Sequence, residues 1–228
     1  MRFFREILDV FFPVTCGGCG KILMKNENLI CFGCREQLPK ICISSIEDNE
    51  ITDRFLGKIT VNFGIAYLYF NKSGITQHLM HALKYKGQKQ IGKMLGEYFG
   101  YEIAPMLRMR NIDCIIPVPL HPRKKNWRGY NQSNEIAEGF GNAINIDVLS
   151  NALVRIKYDT SQTRKSREER WSNVCDAFKV TDPNAIKDKS ILLIDDVITT
   201  GATLEACAKV LEEAGASRIG VAALSLAK

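Results

Sequence analysis

The sequence has no run of about 20 uninterrupted apolar residues, the length that a helix needs to cross a bilayer. Its amino-terminal apolar segment is interrupted by Glu6 and Asp9, so it lacks the continuous apolar core of a secretory signal. Internal repeats and low-complexity linkers are also absent. These absences argue against a membrane-spanning or repeat architecture and predict a globular, cytoplasmic protein.

The 228 residues exceed a typical single domain, which favours one α/β core with a small appended module. The cysteine-rich start predicts that module over residues 1–45. Residues 46–104 predict a connecting strand and a helical region, and residues 105–228 predict the core. In the core, buried strands such as ILLI and IGVAALSL alternate with helices, which predicts an α/β fold with a mostly parallel sheet flanked by helices.

Four of the eight cysteines form two pairs, Cys16 with Cys19 and Cys31 with Cys34, in the pattern C-x2-C-x11-C-x2-C. Two such pairs can close a tetrahedral shell of thiolates around zinc, which predicts a closed, structural site in a zinc-ribbon-like module. Disulfides or free thiols are the alternatives, and the expected reducing cytosol argues against stable disulfides. The other cysteines lack paired spacing and are predicted to pack in the interior: Cys42, Cys114, Cys175 and Cys207.

The segment ILLIDDVITTGAT passes from a buried strand into a helix, and ligands of open parallel sheets bind at such strand ends. Asp195 and Asp196 can accept hydrogen bonds from the adjacent hydroxyls of a ribose, directly or through bound magnesium. The next turn offers backbone N–H groups at the positive end of a helix, which suits a terminal phosphate. The alternative is an ordinary strand, acidic cap and helix. The residues predicted to bind a phosphorylated ribose are Asp195, Asp196, Thr199, Thr200, Gly201, Ala202 and Thr203.

The net charge of +6 is modest, but the basic residues are clustered. One cluster follows the predicted strand CIIPV, and a second lies in the long polar segment over residues 155–170. Each cluster suits an anionic ligand, although a nucleic-acid surface or a solvated face is equally compatible with charge alone. The position of each cluster relative to the ribose motif must therefore decide its role.

The segment ILLIDDVITTGAT resembles the diphosphate-sugar motif of type I phosphoribosyltransferases. Together with IIPVPLHPRKKNWRGYNQSNEIA, TSQTRKSREERWSNVCDAF and the paired cysteines, it gives essentially the whole chain a resemblance to the ComF family of competence-associated, amidophosphoribosyltransferase-like proteins. The resemblance implies a type I phosphoribosyltransferase fold with an amino-terminal zinc-binding module. It also implies 5-phosphoribosyl 1-diphosphate as ligand, magnesium as its companion ion, and a link to the competence machinery for DNA uptake.

The resemblance further implies residue roles around the diphosphate. The loop after CIIPV corresponds to the pyrophosphate loop, and basic side chains there can neutralise a diphosphate. Its residues are Pro119, Leu120, His121, Arg123, Arg128 and Gly129. The later Arg-rich segment corresponds to a mobile loop that closes over the reacting centre. The implied reaction displaces pyrophosphate by an unidentified nitrogen acceptor, and the implied catalytic residues are Asp195, Asp196, Arg128 and Arg167.

Two other functions remain open from the sequence. A regulator that senses the diphosphate sugar without chemistry would need only the DD and TTGAT residues. For the transferase, Thr199 stands where some purine-using relatives carry a carboxylate, so a residue that takes a proton from the acceptor is missing there. His121 could serve as an acid or base, or it could make a positioning contact. A protein that handles single-stranded DNA could stack bases on Trp127 and Tyr130, but no recognised nucleic-acid fold signature accompanies them.

Overall fold

A computed structural model describes residues 13–157 and 177–227 of the chain. Its strands are β1 (Phe63–Phe70), β2 (Cys114–Pro117), β3 (Leu153–Arg155), β4 (Phe178–Val180), β5 (Ser190–Ile198) and β6 (Arg218–Ala227). Its α-helices are α1 (Phe32–Glu36), α2 (Ile75–Tyr85), α3 (Lys89–Leu107), α4 (Pro122–Arg128), α5 (Gln132–Ile144) and α6 (Ala202–Glu213). Short 3-10 helices lie at Thr52–Phe55 and Pro183–Ala185. The main sheet has four parallel strands in the order β1-β6-β5-β2, and β3 pairs with β4 in a separate antiparallel ribbon.

The central strand β5 is covered on both faces, which is why its first half is a continuous apolar run. Successive side chains of a strand point to opposite faces of the sheet. Ile191 and Leu193 accordingly belong to the core that contains the apolar side of α6, whereas Leu192 and Ile194 belong to the core that contains α3 and α5. The predicted α/β fold, a parallel sheet flanked by helices, is therefore confirmed.

Helices α3 and α5 approach each other closely through glycines. A Cβ atom on Gly96 would lie 2.1 Å from the backbone oxygen of Ile136, and one on Gly139 would lie 1.9 Å from the backbone oxygen of Lys93. Any larger side chain at these positions would force the helices apart. This contact fixes the position of α5, whose first turn faces the carboxyl end of β5.

The residues before position 105 contribute a strand to the main sheet and side chains to its hydrophobic core. Strand β1 pairs with β6 and forms one edge of the main sheet. Cys16 and Cys34 are buried in the same core as α2 and α3. The division of the chain near residues 45 and 104 stays a prediction.

Two segments differ from the sequence-based expectation. The loop after β2 contains the short helix α4, because Pro122 occupies its first turn, His121 caps its start and Gly129 ends it in the left-handed conformation. The segment VLSNALVRI, residues 148–156, predicts a strand from its β-branched and apolar residues, but a strand is formed only at Leu153–Arg155. The chain turns at residues 150–152, so Val148 bridges to Ile115 of β2 while Leu153–Arg155 pairs antiparallel with β4.

Candidate functional site

The two adjacent acids lie near the carboxyl end of β5, where the sheet opens. Asp195 Oδ1 accepts hydrogen bonds from Ser133 Oγ (3.0 Å) and from the backbone N–H of Asp196 (2.7 Å). Burial, followed by the neighbouring carboxylate of Asp196, raises the pKa of Asp195 to about 7. Asp195 is therefore held in one orientation by α5 and titrates near neutral pH.

Asp196 has a different partner. Its Oδ2 atom lies 2.7 Å from Nζ of Lys84, in the last turn of α2. The two side chains are only 13% and 22% exposed, so this ion pair is partly shielded from water. The sequence did not identify Lys84 as a site residue.

The turn after β5 has the features of an anion cradle. Gly201 has a φ of +84° and precedes α6, whose first N–H groups have no acceptor within the helix. Thr199 and Thr200 are exposed. Residues 197–204, together with Asp195, enclose a hollow of about 30 Å³. The geometry suits a small anion at the helix start.

A basic wall faces the acids across the strand ends. Pro119 and Leu120 lead from β2 into α4, which presents Lys124 and Arg128. Asn131 connects this wall to the strand end, since its Nδ2 donates to the carbonyl oxygen of Val118 (2.9 Å). The predicted pyrophosphate loop thus lies beside the predicted ribose motif.

The acids, the turn and the basic wall line one cavity of about 350 Å³. Seven of the predicted site residues lie around it: Pro119, Leu120, Arg128, Asp195, Asp196, Thr199 and Thr203. Thr200, Gly201 and Ala202 lie around the adjoining hollow. The lining of the 350 Å³ cavity does not include three residues of the predicted loop, His121, Arg123 and Gly129.

Those three residues have other positions in the fold. His121 caps α4, its Nδ1 accepting from the backbone N–H of Arg123 (3.2 Å), and Gly129 ends the same helix. Arg123 lines a neighbouring cavity of about 310 Å³ with Trp127 and Tyr85. The predicted catalytic residue Arg167 and the rest of residues 158–176 lie outside the described residues.

Several lining residues carried little or no signal in the sequence. Ser133 is not among the predicted site residues, although its position near the start of a predicted helix suggests a cap. Asn131 caps α5, and the Ser133 hydroxyl donates to Asp195 instead. Lys84 lies in the segment KYKGQK, whose charge and glycine indicated only that it faces water or a ligand. Arg155 lines the cavity from the end of β3. All three reach the site from elements distant in sequence.

The four paired cysteines form a second candidate site at the other side of α2. Their sulfur atoms all lie within 4.8 Å of one another, and Sγ of Cys19 is 3.8 Å from Sγ of Cys31. Four thiolates about 2.3 Å from a zinc ion would be separated by about 3.8 Å, so the arrangement fits a tetrahedral metal site. Among the remaining cysteines of residues 13–157 and 177–227, Cys114 and Cys207 are buried as predicted, whereas Cys42 is exposed.

Backbone donors also face the sulfur atoms. Sγ of Cys16 accepts from the N–H groups of Cys31 (3.2 Å) and Gly18 (3.4 Å). Burial alone would raise the pKa of Cys16, but hydrogen bonds from backbone N–H groups outweigh it and lower that pKa to about 6. The site therefore favours a thiolate at this position.

Helix α2 touches both candidate sites. At its start, His78 donates through Nδ1 to the carbonyl oxygen of Gly18 (2.7 Å), in the first cysteine turn. At its end, Lys84 meets Asp196. One helix of 11 residues therefore contacts both the cysteine turn and Asp196 in the cavity.

Within the part of the chain that the structure describes, no helix combines the length and apolar character needed to cross a membrane.

Comparison with known proteins connects the cavity with a described domain. The family model for the phosphoribosyl transferase domain matches residues 124–227, which include Arg128, both acids and the turn after them. Competence protein F of Haemophilus influenzae is 27% identical over 228 residues, covering 95% of this chain and 99% of that protein. Competence protein ComFC of Bacillus subtilis is 24% identical over 207 residues, covering 85% and 82%. The solved glutamine phosphoribosylpyrophosphate amidotransferase of B. subtilis aligns at 19% identity and a TM-score of 0.41, over 58% of this chain and 26% of its own, which is too distant to carry an argument.

Proposed function

Because the chain belongs to the ComF family and carries a phosphoribosyl transferase domain, we propose that it binds 5-phosphoribosyl 1-diphosphate and transfers the phosphoribosyl group to a nitrogen acceptor. One observation carries the proposal. A single cavity joins two adjacent acids and two lysines and two arginines, and it adjoins a helix-start turn. A phosphorylated sugar diphosphate needs each of these parts, because it presents hydroxyl donors between two groups of negative charge.

The acids and the turn would hold the phosphorylated ribose. Asp195 and Asp196 accept hydrogen bonds from the neighbouring hydroxyls, and the N–H groups at the start of α6 bind the 5′-phosphate. The small hollow beside Gly201 adjoins Asp195, so one ligand can span both. Ser133 supports this role by keeping Asp195 oriented.

The basic wall would bind the diphosphate. Lys124 and Arg128 supply charge where the bond between C1 and the diphosphate oxygen breaks, and the departing pyrophosphate keeps that electron pair. The acceptor nitrogen forms the new bond to C1 and releases its proton to solvent. Magnesium, bound with the sugar by Asp195 and Asp196, would neutralise part of the diphosphate charge. Carboxylate oxygens are the ligands that magnesium prefers, so the donor set fits this ion.

The cysteine cluster would hold a structural zinc ion. All four positions are filled by Cys16, Cys19, Cys31 and Cys34, which leaves no open position for a reacting water. Because Cys16 and Cys34 belong to the core shared with α2, the metal would support the fold of the neighbouring helices. The names of the relatives also motivate the proposal that this chain takes part in DNA uptake.

A second candidate function is a regulator that binds the sugar without turnover. One observation favours it. The acids lining the 350 Å³ cavity are Asp195 and Asp196, both assigned to the ribose, and the described lining includes no histidine or further carboxylate to take a proton from an acceptor. Ligand binding without turnover would then be the chain's whole activity.

Calorimetric titration with 5-phosphoribosyl 1-diphosphate and magnesium tests the binding proposal. The double variant Asp195→Asn with Asp196→Asn should lose at least about a hundredfold in affinity, because two charged acceptors are removed. Asp147→Asn removes an exposed acid outside the cavity and should leave the affinity unchanged. Unchanged affinity in the double variant would refute the assignment of the acids.

Pyrophosphate release across candidate nitrogen acceptors separates transferase from regulator. A transferase releases pyrophosphate with at least one acceptor, and the double aspartate variant does not. Thermal stabilisation by the sugar with no release for any acceptor supports the regulator.

A further inference from the structure

Lys84 forms an ion pair with Asp196, the carboxylate that the proposed function assigns to the ribose hydroxyls. Its Nζ atom lies 2.7 Å from Asp196 Oδ2, and both side chains line the 350 Å³ cavity. A charged ammonium is a stronger donor to a carboxylate than a neutral sugar hydroxyl. The ribose can therefore take this position readily only if Lys84 gains another anionic partner.

The backbone of Lys84 lies beside the pyrophosphate loop. The hydroxyl of Tyr130, two residues after the end of α4, donates to the carbonyl oxygen of Leu83, the residue before Lys84. The same cavity is lined by Lys124 and Arg128 from α4. The backbone of Lys84 therefore lies close to the loop, while its ammonium group reaches Asp196.

The chemistry of lysine suits a change of partner. Its ammonium is a compact charge on a flexible four-carbon stem, without the fixed planar geometry that ties an arginine to one carboxylate. With an empty cavity, the ammonium offsets one of two adjacent carboxylates on β5. With the sugar bound, the hydroxyls serve the carboxylate and the diphosphate offers several oxygens to the ammonium.

We propose that Lys84 exchanges partners when the sugar binds: its ammonium moves from Asp196 to the diphosphate, and Asp196 then accepts hydrogen bonds from the ribose hydroxyls. The proposal rests on the proposed function, because it requires a ligand that carries both a diol and a diphosphate. It makes Lys84 a diphosphate-binding residue supplied by the helical region, outside the motifs that identify the domain. It also makes α2 a direct participant in ligand binding.

Inorganic pyrophosphate, titrated without added magnesium, isolates the lysine from the ribose. Asp196→Asn frees Lys84 and should strengthen pyrophosphate binding by about tenfold, the size of one charge-assisted hydrogen bond. The gain should disappear in the double variant Lys84→Met with Asp196→Asn. Lys86→Met is the matched control, because Lys86 is exposed, lies two residues away and lines neither cavity.

The same variants are then titrated with the complete sugar diphosphate and with ribose 5-phosphate. Lys84→Met should weaken binding of the sugar diphosphate by about tenfold. Binding of ribose 5-phosphate should stay the same or become stronger, because the lysine no longer competes with the ribose hydroxyls for Asp196. Equal weakening of both ligands would show that Lys84 only positions Asp196 and would overturn the inference. So would equal pyrophosphate affinity in Asp196→Asn and in the double variant.

The two proposals fail in different ways. If the unmodified chain binds the sugar diphosphate but Lys84→Met binds it equally well, the partner exchange is wrong and the proposed function stands. If the chain binds pyrophosphate with the expected coupling between Lys84 and Asp196 but does not bind the sugar diphosphate, the proposed function is wrong. Circular dichroism and melting temperatures check that every variant is folded.

Discussion

The cysteine cluster and the 350 Å³ cavity lie at opposite ends of α2, but they are encoded in different ways. Four sulfur atoms come together from residues 16–34, so local spacing alone predicts their proximity. The cavity combines residues from α2, the loop after β2, α4, α5, β3, β5 and the start of α6, and some of them lie more than a hundred positions apart in the sequence. The first site can be identified from a pattern, whereas the second requires the fold.

The two regions also differ in how they balance charge. Backbone N–H groups and a bound metal would stabilise the sulfur atoms of the closed cluster. The cavity places two carboxylates opposite four cations, and one carboxylate is already paired with Lys84. A closed site of the first kind supports a fold, while an open site of the second kind can exchange its partners for a ligand.

Removing a cysteine ligand tests the first half of this comparison and should have the largest effect. Cys31→Ser should lower the free energy of unfolding by several kcal/mol, because metal binding and folding are coupled in such modules. Elemental analysis should find one zinc ion per chain before the change and much less after it. Cys42→Ser is the control, since Cys42 is exposed and outside the cluster. Equal stability of the two variants would contradict a structural metal.

The pH dependence of stability tests whether the cavity raises the pKa of Asp195. The pKa of Asp195 rises from an ordinary 3.8 to about 7 on folding, so the unfolded chain releases this proton at lower pH. The stability linked to this group is present below about pH 4 and is lost as the pH rises to about 7. As the pH rises across this window, the free energy of unfolding of Asp195→Asn should therefore increase relative to that of the unmodified chain, by up to about 1.4 kcal/mol per pH unit. Urea unfolding at several pH values measures it, and a difference that does not change with pH would exclude the raised pKa.

Two glycines at the ends of α6 separate ligand binding from backbone strain. Gly201 and Gly215 both have left-handed φ values, +84° and +90°, so alanine should cost about 1 kcal/mol of stability at either position from backbone conformation. At Gly201 the new Cβ would also lie 3.1 Å from Cε1 of Phe55, so the loss of stability there should be the larger one. Only Gly201 borders the proposed phosphate hollow. Gly201→Ala should also weaken ribose 5-phosphate binding by about tenfold in calorimetry, the equivalent of about 1.4 kcal/mol. Equal ligand affinities of the two variants would remove the turn from the site.

The hydrogen bond between α2 and the cysteine turn should give the smallest effect. His78→Ala removes the donor to the Gly18 carbonyl and should cost about 1 kcal/mol of stability, the value of one such bond. Because α2 also carries Lys84, a small loss of affinity for the sugar diphosphate should accompany it. His78→Asn places an amide nitrogen near the position of Nδ1 and should restore both quantities. If His78→Asn restores the stability but not the affinity for the sugar diphosphate, this hydrogen bond does not couple the two sites.

The sequence predicted the elements that repeat a simple pattern. The parallel strands of the core and the helix after the TTGAT turn both follow from apolar periodicity and turn residues. The helix inside the pyrophosphate loop was missed, although Pro122 and Gly129 mark its ends. Its basic, polar surface has no apolar stripe, and such a stripe is the signal on which the helix assignments depended.

The site followed the same rule. Asp195 and the turn at residues 199–203 belong to one contiguous motif and could be identified directly. Lys84 and Ser133 could not, because their role arises only when α2 and α5 pack against the end of β5. No local pattern distinguishes a lysine that meets a partly buried carboxylate from one that faces water.

A crystal structure of the chain with magnesium and 5-phosphoribosyl 1-diphosphate tests the central claim most directly. We expect the ribose hydroxyls at Asp195 and Asp196 and the 5′-phosphate at the start of α6, with the diphosphate against Lys124 and Arg128. A sugar bound elsewhere, with Lys84 still paired to Asp196 and no anion in the turn, would contradict the account.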